Sequence, residues 1–223
     1  MFKIDGDLAE ETGIHIGDGS MNIYTNGACY TVACHEINEK EYIKNHVAKL
    51  VEKIYGIKPN LRKWSEGAYG FRIHSQKVVD FKHKDLNLPL GKKINIKIPE
   101  RIYENPKLLK RCLRGLFDTD GYLCIEKRFG KPYPRIELHV NSKELIEQVK
   151  HALKDMGFGV SVWEHKYAKK NWLTTYNLCV RGRKSLELWM NEIGFKNEKN
   201  LKKVAVFKDF YQSNLVPGKE LDK

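Results

Sequence analysis

Two aspartates, Asp18 and Asp120, each end a stretch of helical pattern, and a glycine follows each of them. The apolar residues of 107–119 recur at three- and four-residue steps, and those of 5–17 follow a shorter version of this pattern. Because Asp-Gly stops a helix and turns the chain, each carboxylate is expected at a helix end, held on rigid backbone. Two carboxylates brought close together repel each other and attract divalent cations, and oxygen ligands suit Mg²⁺. For either aspartate alone, a helix stop without chemistry is the competing interpretation.

Small residues four positions apart lie in both helical stretches, namely Gly13 and Gly17 in the first and Gly115 and Thr119 in the second. Residues with this spacing share one face of a helix, and a strip of small residues lets a second helix backbone approach closely. The two helices are therefore predicted to pack along these strips. That packing would bring the two aspartates together at a pseudo-dyad.

The predicted elements repeat in the same order in both halves of the chain. The first half has helices at 5–17, 38–55 and 75–87, and strands at 20–25, 29–37, 60–65 and 68–74. The second half has helices at 107–119, 142–156 and 183–193, and strands at 121–128, 134–141, 159–166 and 172–181. A last helix at 198–212 has no counterpart. The pattern indicates an α+β fold made of a duplicated αββαββα unit, with an N-terminal half (1–90), a Pro-rich, basic linker (91–106) and a C-terminal half (107–223).

Details of the repeat support the duplication and predict its turns. Asn38-Glu39-Lys40-Glu41 aligns with Asn141-Ser142-Lys143-Glu144, and the strand beginning at Tyr69 aligns with that beginning at Tyr176. The pair Asn26-Gly27 predicts a two-residue hairpin loop between the first two strands.

Residues 113–121, Leu-Arg-Gly-Leu-Phe-Asp-Thr-Asp-Gly, resemble the signature nonapeptide of the LAGLIDADG homing endonucleases, and residues 12–19 resemble it more weakly. The resemblance implies two pseudo-symmetric halves whose antiparallel sheets form a saddle on DNA. It implies a monomeric, site-specific double-strand DNA endonuclease that hydrolyses a long, asymmetric target. Asp18 and Asp120 would bind Mg²⁺ or Mn²⁺, with the backbone carbonyls of Gly17 and Thr119 as further ligands. The first copy departs from the signature at Glu11, His15 and Ile16, which puts its packing in question.

The same resemblance suggests further residues near each acid. Family members often place a lysine near each active site, which here suggests Lys93 and Lys199, with Lys92 and Lys196 as rivals. Asn38 and Asn141 match positions that order water near the metals. A solvated charge is the competing interpretation for the lysines, and a helix N-cap is the competing interpretation for the asparagines.

Charge and alternation predict the surface that would bind nucleic acid. The net charge is +12, which favours a polyanionic partner. Polar residues alternate with apolar ones along the predicted strands, so one face of each sheet is expected in the core and the other available to read a major groove. The predicted sheet-face residues are Arg72, His74, Arg135, Glu137, His139, Thr175, Asn177 and Arg181. The predicted phosphate-binding residues at two hairpins are Lys127, Arg128, Lys166, Lys169 and Lys170.

Other classes of function remain open or are disfavoured. A non-cleaving DNA-binding regulator of the same fold and an RNA-binding maturase acting on a host intron are the alternatives. No apolar run is long enough for a bilayer, and no secretory signal begins the sequence, which favours a cytoplasmic protein. Five cysteines without a Cys-x-x-Cys favour reduced thiols. The splicing ends of an intein are missing, which favours a free-standing or intron-encoded member.

Overall fold

The computed structural model describes residues 2–64, 67–167 and 173–213. Its helices are α1 (Gly6–Asp18), α2 (Glu36–Tyr42), α3 (Ala48–Tyr55), α4 (Gln76–Asp80), α5 (Glu100–Tyr103), α6 (Pro106–Thr119), α7 (Lys143–Asp155), α8 (Arg183–Glu192) and α9 (Glu198–Ser213). Its strands are β1 (Gly19–Tyr24), β2 (Gly27–His35), β3 (Arg62–Lys63), β4 (Ala68–His74), β5 (Gly121–Arg128), β6 (Lys131–Val140), β7 (Val160–His165) and β8 (Thr175–Arg181). A π-helical segment, Ile43–Val47, joins α2 to α3, and another, Phe81–Asp85, extends α4.

The strands form two antiparallel sheets of four, with the orders β1-β2-β4-β3 and β5-β6-β8-β7. The identical order in the two halves confirms the predicted α+β fold and its internal repeat. Buried side chains from both halves join in one continuous apolar cluster, so the two sheets and their helices share a core. The predicted division of the chain at residues 90 and 106 stays a prediction.

The first hairpin differs from the prediction by one residue. Tyr24 pairs with Gly27, so Thr25 and Asn26 form the loop and Gly27 begins β2. Gly27 has a φ of 133°, a conformation that residues with a side chain rarely adopt. The glycine is therefore needed at the start of the strand, because the strand leaves the turn in this conformation.

The alignment of Asn38 with Asn141 is wrong by three residues. Gly19 pairs with Val32 in the first sheet and Gly121 pairs with Leu138 in the second, so the structural counterpart of Asn141 is His35. The offset arises because β5 and β6, at 8 and 10 residues, are longer than β1 and β2, at 6 and 9.

The position of each asparagine changes with this register. Asn38 lies inside the first turn of α2, whereas Asn141 directly follows β6. Neither asparagine is an N-cap, since His35 precedes α2 and the Ser142 hydroxyl caps α7 by accepting from the amide of Leu145 at 3.2 Å.

Helices α1 and α6 pack against each other at backbone distance. A Cβ atom on Gly13 would lie 2.0 Å from the carbonyl oxygen of Cys112, and one on Gly115 would lie 2.1 Å from that of Glu10. No larger residue fits at either position, so the predicted packing along strips of small residues is confirmed. The start of each helix is fixed by a side-chain cap, Asp5 for α1 and Asn105 for α6.

The segment between the halves packs on the second half. The side-chain amide of Gln148 accepts from the amide of Ile98 at 2.8 Å and donates to its carbonyl at 3.2 Å. The Ser142 hydroxyl donates to the carbonyl of Ile96 at 2.7 Å. Ile96 and Ile98 are both buried. These contacts anchor the segment that carries Lys93.

Candidate active site between the two central helices

The two predicted acids lie at the adjoining ends of α1 and α6. Asp18 is the last residue of α1, and Asp120 directly follows α6, with its amide donating to the carbonyl of Leu116 at 3.0 Å. The close approach of the helices continues to this point, because a Cβ on Gly17 would lie 2.0 Å from the hydroxyl oxygen of Thr119. The Thr119 hydroxyl is turned back onto its own helix, where it donates to the carbonyls of Gly115 and Leu116. The structure thus brings both acids to the helix junction.

Both carboxylates are partly buried, and their surroundings disfavour the ionised form. Burial raises the pKa of Asp18 to about 7, with the negative charges of Asp120 and Glu39 adding to the effect. Burial also raises the pKa of Asp120, although Lys93 and Lys199 oppose that shift. Within the part of the chain that the structure describes, neither carboxylate takes part in a hydrogen bond or an ion pair. A bound cation would relieve the repulsion at this junction.

Two lysines bind the carbonyl groups that precede the acids. The ammonium of Lys93 donates to the carbonyls of Gly17 and Ile16, the latter at 2.9 Å. The ammonium of Lys199 donates to the carbonyl of Thr119 at 3.3 Å. The arrangement is pseudo-symmetric, since Gly17 precedes Asp18 as Thr119 precedes Asp120. Burial lowers the pKa of Lys93, and the charges of the two aspartates oppose this shift.

Lys196, the alternative to Lys199, contacts Asp118 through its backbone. The backbone amide of Lys196 donates to the carboxylate of Asp118 at 2.7 Å, and the side chain of Asn197 donates to the carbonyl of Asp118 at 2.8 Å. These bonds hold the chain before α9 against α6. They thereby set the position of Lys199 in the first turn of α9.

Glu39 is a charged residue at this junction that the sequence interpretation missed. Its buried carboxylate accepts from the ammonium of Lys199 at 2.5 Å and from the side chain of Asn197 at 3.3 Å. A signal was present in the sequence, because Glu39 stands three and four positions before the buried residues Tyr42 and Ile43. An acid in the apolar stripe of a helix needs a buried partner.

The two predicted asparagines lie in two different clefts. Asn38 is exposed and lines a cleft of about 330 Å³ that also contains Lys199. Asn141 lines a cavity of about 620 Å³ together with Gly17, Lys93 and Asp120. The Asn141 side chain accepts from the Thr175 hydroxyl at 3.3 Å.

The departures in the first motif have a structural cause. Glu11, which stands where the second motif has Leu113, forms an ion pair with Lys82 at 2.6 Å, and both side chains are 0% exposed. The Tyr55 hydroxyl donates to the same carboxylate oxygen at 2.9 Å. His15, in the place of Phe117, is fully buried beside the ring of Tyr30. The first motif therefore replaces an apolar contact with a buried ion pair.

The polar faces of both sheets carry the predicted sheet-face residues. In the first sheet Arg72 and His74 are exposed, while Phe71 and Ile73, which alternate with them along β4, are buried. In the second sheet Arg135 pairs with Arg181 and His139 with Asn177, which places them on one face. Thr175, two residues before Asn177 in β8, lies on this face as well.

Two of the predicted sheet-face residues are buried and form hydrogen bonds or ion pairs within the protein. Glu137 is 4% exposed and accepts from the Tyr122 hydroxyl, while Arg135 forms an ion pair with it at 2.8 Å. Asn177 is also buried, and its amide donates to the carbonyls of Trp163 and Thr175.

The predicted phosphate-binding residues are placed only in part. Lys127 and Arg128 are exposed at the end of β5. Lys166 is exposed and forms an ion pair with Glu164 at 2.9 Å. Lys169 and Lys170 lie outside the described residues.

Aromatic residues beside arginines are a further feature of these faces that the sequence interpretation missed. The guanidinium groups of Arg62 and Arg72 lie over the Trp64 ring, at 5.4 and 5.3 Å from its centroid. Arg181 lies 5.9 Å from the centroid of the Trp163 ring. Register places Trp163 opposite Asn177, on the polar face.

Two general features limit the kinds of site. Across residues 2–64, 67–167 and 173–213, no group of three or more His, Cys, Asp or Glu side chains is arranged to hold a metal ion. Any metal at the helix junction would therefore be held by the two aspartates, backbone carbonyls and ligands from outside the chain. None of the helices in the described part of the chain is both long enough and apolar enough to cross a bilayer.

Comparison with known proteins supports the motif assignment. The family model of the LAGLIDADG-like domain matches residues 107–194. The chain is 30% identical over 207 residues to the replication factor C small subunit of Methanocaldococcus jannaschii. The aligned segment covers 91% of this chain and 10% of that protein. The chain is 25% identical over 168 residues to the glutamine–fructose-6-phosphate aminotransferase of the same organism, which covers 75% of this chain and 15% of that protein. The chain thus spans a small part of the length of these relatives.

A solved structure gives the fold. The crystal structure of I-DmoI in complex with DNA and Mn superposes with a TM-score of 0.59, at 20% identity, over 86% of this chain and 98% of that one. Residues 107–194 are therefore a LAGLIDADG-like domain, and the described chain has the fold of the two-motif LAGLIDADG homing endonucleases.

Proposed function

We propose that the chain is a site-specific double-strand DNA endonuclease that hydrolyses phosphodiester bonds with divalent metal ions held by Asp18 and Asp120. One observation carries the proposal. Two carboxylates meet at matching helix ends, and a lysine binds the carbonyl that precedes each of them. A pair of plain helix stops requires neither the proximity of the acids nor the paired lysines.

The residues at the junction fit Mg²⁺ or Mn²⁺. Two carboxylates that repel each other and have no protein partner in the described chain form a hard, anionic oxygen set. The carbonyls of Gly17 and Thr119 lie directly beside them. Mg²⁺ binds well to one or two carboxylates with water and phosphate as the remaining ligands. When bound, such ions activate water and neutralise charge on the attacking and leaving oxygens.

The lysines add positive charge from the protein itself. Lys93 and Lys199 are held at the carbonyls of Gly17 and Thr119, where each ammonium is close enough to interact with the charges of both acids. In this place they can stabilise negative charge that develops on a phosphate oxygen. Glu39 orients Lys199 through the contact at 2.5 Å, whereas the hydrogen bonds of Lys93 within the described residues go to carbonyl groups alone.

The two polar sheet faces account for binding to an asymmetric DNA. The first face presents Arg72 and His74, and the second presents Arg135, His139 and Arg181. Because different side chains line the two faces, the two halves of a target would have different sequences. Both faces and both acids belong to one chain, so a monomer suffices for cleavage. The crystal structure of I-DmoI with DNA and Mn, which has the same fold, supports a DNA partner and a divalent metal.

A plasmid library with randomised inserts tests the proposal, because the target sequence is unknown. The purified chain is incubated with the library in Mg²⁺, in Mn²⁺ and in EDTA, and linearised plasmids are recovered and sequenced. The expected result is a family of related, non-palindromic inserts that is linearised only with a divalent metal. Specific retention of inserts without linearisation in either metal would instead indicate the non-cleaving DNA-binding alternative.

Single substitutions of the acids then test the site on a recovered insert. Asp18→Asn and Asp120→Asn keep the size and polarity of the side chain but remove the charge. Each variant is expected to lose double-strand cleavage and to bind the insert nearly as the unmodified chain does. Double-strand cleavage by Asp120→Asn at the unmodified rate would refute the assignment of the site.

A further inference from the structure

The β5–β6 hairpin ends in a loop whose sequence does not suit its conformation. Arg128 pairs with Lys131, so Phe129 and Gly130 form a two-residue loop with φ angles of 50° and 76°. Loops in which both residues have a positive φ strongly favour Asn-Gly or Asp-Gly. Phenylalanine is poorly suited to the first position, because its Cβ lies too close to the following carbonyl oxygen in the left-handed region. Among the described residues other than glycine, Asn87 is the one other with a positive φ, and asparagine tolerates it.

The fold gains no burial from this phenylalanine in return. Its side chain is 94% exposed, more than that of any other large hydrophobic residue in the described chain. Among the described residues, the ring contact of Phe129 is with the guanidinium of the adjacent Arg128, 5.8 Å from the ring centroid. A strained residue that makes almost no packing contact points to a function outside the fold.

The surroundings of Phe129 indicate a polyanion with apolar surface. Lys127, Arg128 and Lys131 flank the ring and are exposed. Arg128 also lies over the Tyr133 ring at 5.1 Å, which holds its charge at the hairpin tip. Phosphates match the three cations, and deoxyribose carbons and the thymine methyl group in the major groove offer an aromatic ring an apolar partner.

The distance to the active site sets where this contact would fall on DNA. β5 runs for eight residues from Gly121, next to Asp120, to Arg128 at the hairpin tip. At about 3.3 Å per residue, the tip lies about 25 Å from the acids. With about 3.4 Å per base pair, this is about seven base pairs from the centre of a bound site.

We propose that Phe129 is a DNA-binding residue that inserts its ring into the groove against base or deoxyribose surface, near the outer end of one half-site. The proposal rests on the DNA-binding function proposed above. The corresponding loop of the first half, Thr25 and Asn26, has neither an aromatic ring nor a positive φ. The contact therefore belongs to the second half-site only.

Opposite effects on stability and binding test the role of Phe129. Phe129→Asn places the residue that this turn prefers, and Phe129→Tyr keeps the ring. Melting temperatures are measured by circular dichroism. Dissociation constants are measured by fluorescence anisotropy over a salt series, with a fluorescein-labelled linear duplex of mixed sequence as the probe. Arg128→Gln serves as the matched charge control.

Phe129→Asn is expected to raise the melting temperature by about 3 °C, because the strain at the turn is relieved. It is expected to weaken binding about tenfold at every salt concentration, because burial of the apolar ring in the complex is lost. The slope of log K against log salt stays unchanged, since no charge is removed, whereas Arg128→Gln reduces it by about one. Phe129→Tyr retains the affinity.

Two results would overturn the role of Phe129 while leaving the proposed function intact. One is that the unmodified chain binds the duplex and the Phe129→Asn variant binds it with equal affinity. The other is a lower melting temperature for Phe129→Asn, which would mean that the ring stabilises the fold. If the unmodified chain fails to bind the duplex even at low salt, the proposed function is itself wrong.

Discussion

The buried ion pair between Glu11 and Lys82 leads to a strong prediction about stability. Glu11→Leu makes the first motif more like the second, in which Leu113 holds this place, and from the motif alone the change is harmless. In the structure it removes the partner of an ammonium group that is 0% exposed, and it takes the acceptor from the Tyr55 hydroxyl. Breaking a buried pair in this way costs about 3–5 kcal/mol in the free energy of unfolding. For a chain of this size, that corresponds to a melting temperature lower by about 10 °C.

The double variant separates the pair from its surroundings. Lys82→Met alone leaves the carboxylate of Glu11 buried and unpaired, so its cost is expected to be similar. Glu11→Leu combined with Lys82→Met removes both charges and is expected to recover most of the loss, to within about 1 kcal/mol of the unmodified chain. Urea denaturation followed by circular dichroism and by tryptophan fluorescence measures all four proteins. A loss below about 1 kcal/mol for Glu11→Leu alone would refute the buried pairing.

Three more predictions concern the central helices and the lysines. Gly115→Ala is expected to force α1 and α6 apart, because its Cβ would lie 2.1 Å from the carbonyl oxygen of Glu10. The variant should lose DNA cleavage and about 3 kcal/mol of the free energy of unfolding, measured by urea denaturation. Gly159→Ala, with open space around its Cβ, is the control. Glu10 is buried, which raises its pKa, but hydrogen bonds and charges from its cationic neighbours outweigh this and lower the pKa from 4.5 to about 2. Its contribution to stability, about 3 kcal/mol, is thus complete above pH 4.5 and disappears as the pH falls towards 2, so the unmodified chain should lose more stability over this window than Glu10→Gln. Lys93→Met is expected to slow cleavage at saturating DNA while Lys92→Met does not, and equal rates for the two variants would remove Lys93 from the site.

The sequence by itself determined the parts of the protein that depend on local pattern. Asp-Gly directly after an apolar helical period predicted that Asp18 and Asp120 lie at helix ends, because a glycine just past the last periodic residue favours the end of a helix. Small residues four apart predict a close helix pair, since they share one helix face. Repetition of the same order of elements predicted the two matching sheets. The choice of Lys93 and Lys199 came from the family resemblance rather than from local pattern, and their part in the site stays a prediction.

Only the tertiary structure decided which distant groups meet. Glu11 pairs with Lys82, and Glu39 pairs with Lys199, across separations of 71 and 160 residues that no local pattern connects. The three-residue error between Asn38 and Asn141 arose because hairpin length sets the register of a strand, and one half has the longer hairpin. The conformation of Phe129 likewise follows from strand pairing, which leaves two residues to close the loop whatever their preferences. Local chemistry thus fixes where helices end, whereas partners of buried charges and strand registers depend on contacts that form only when the whole chain folds.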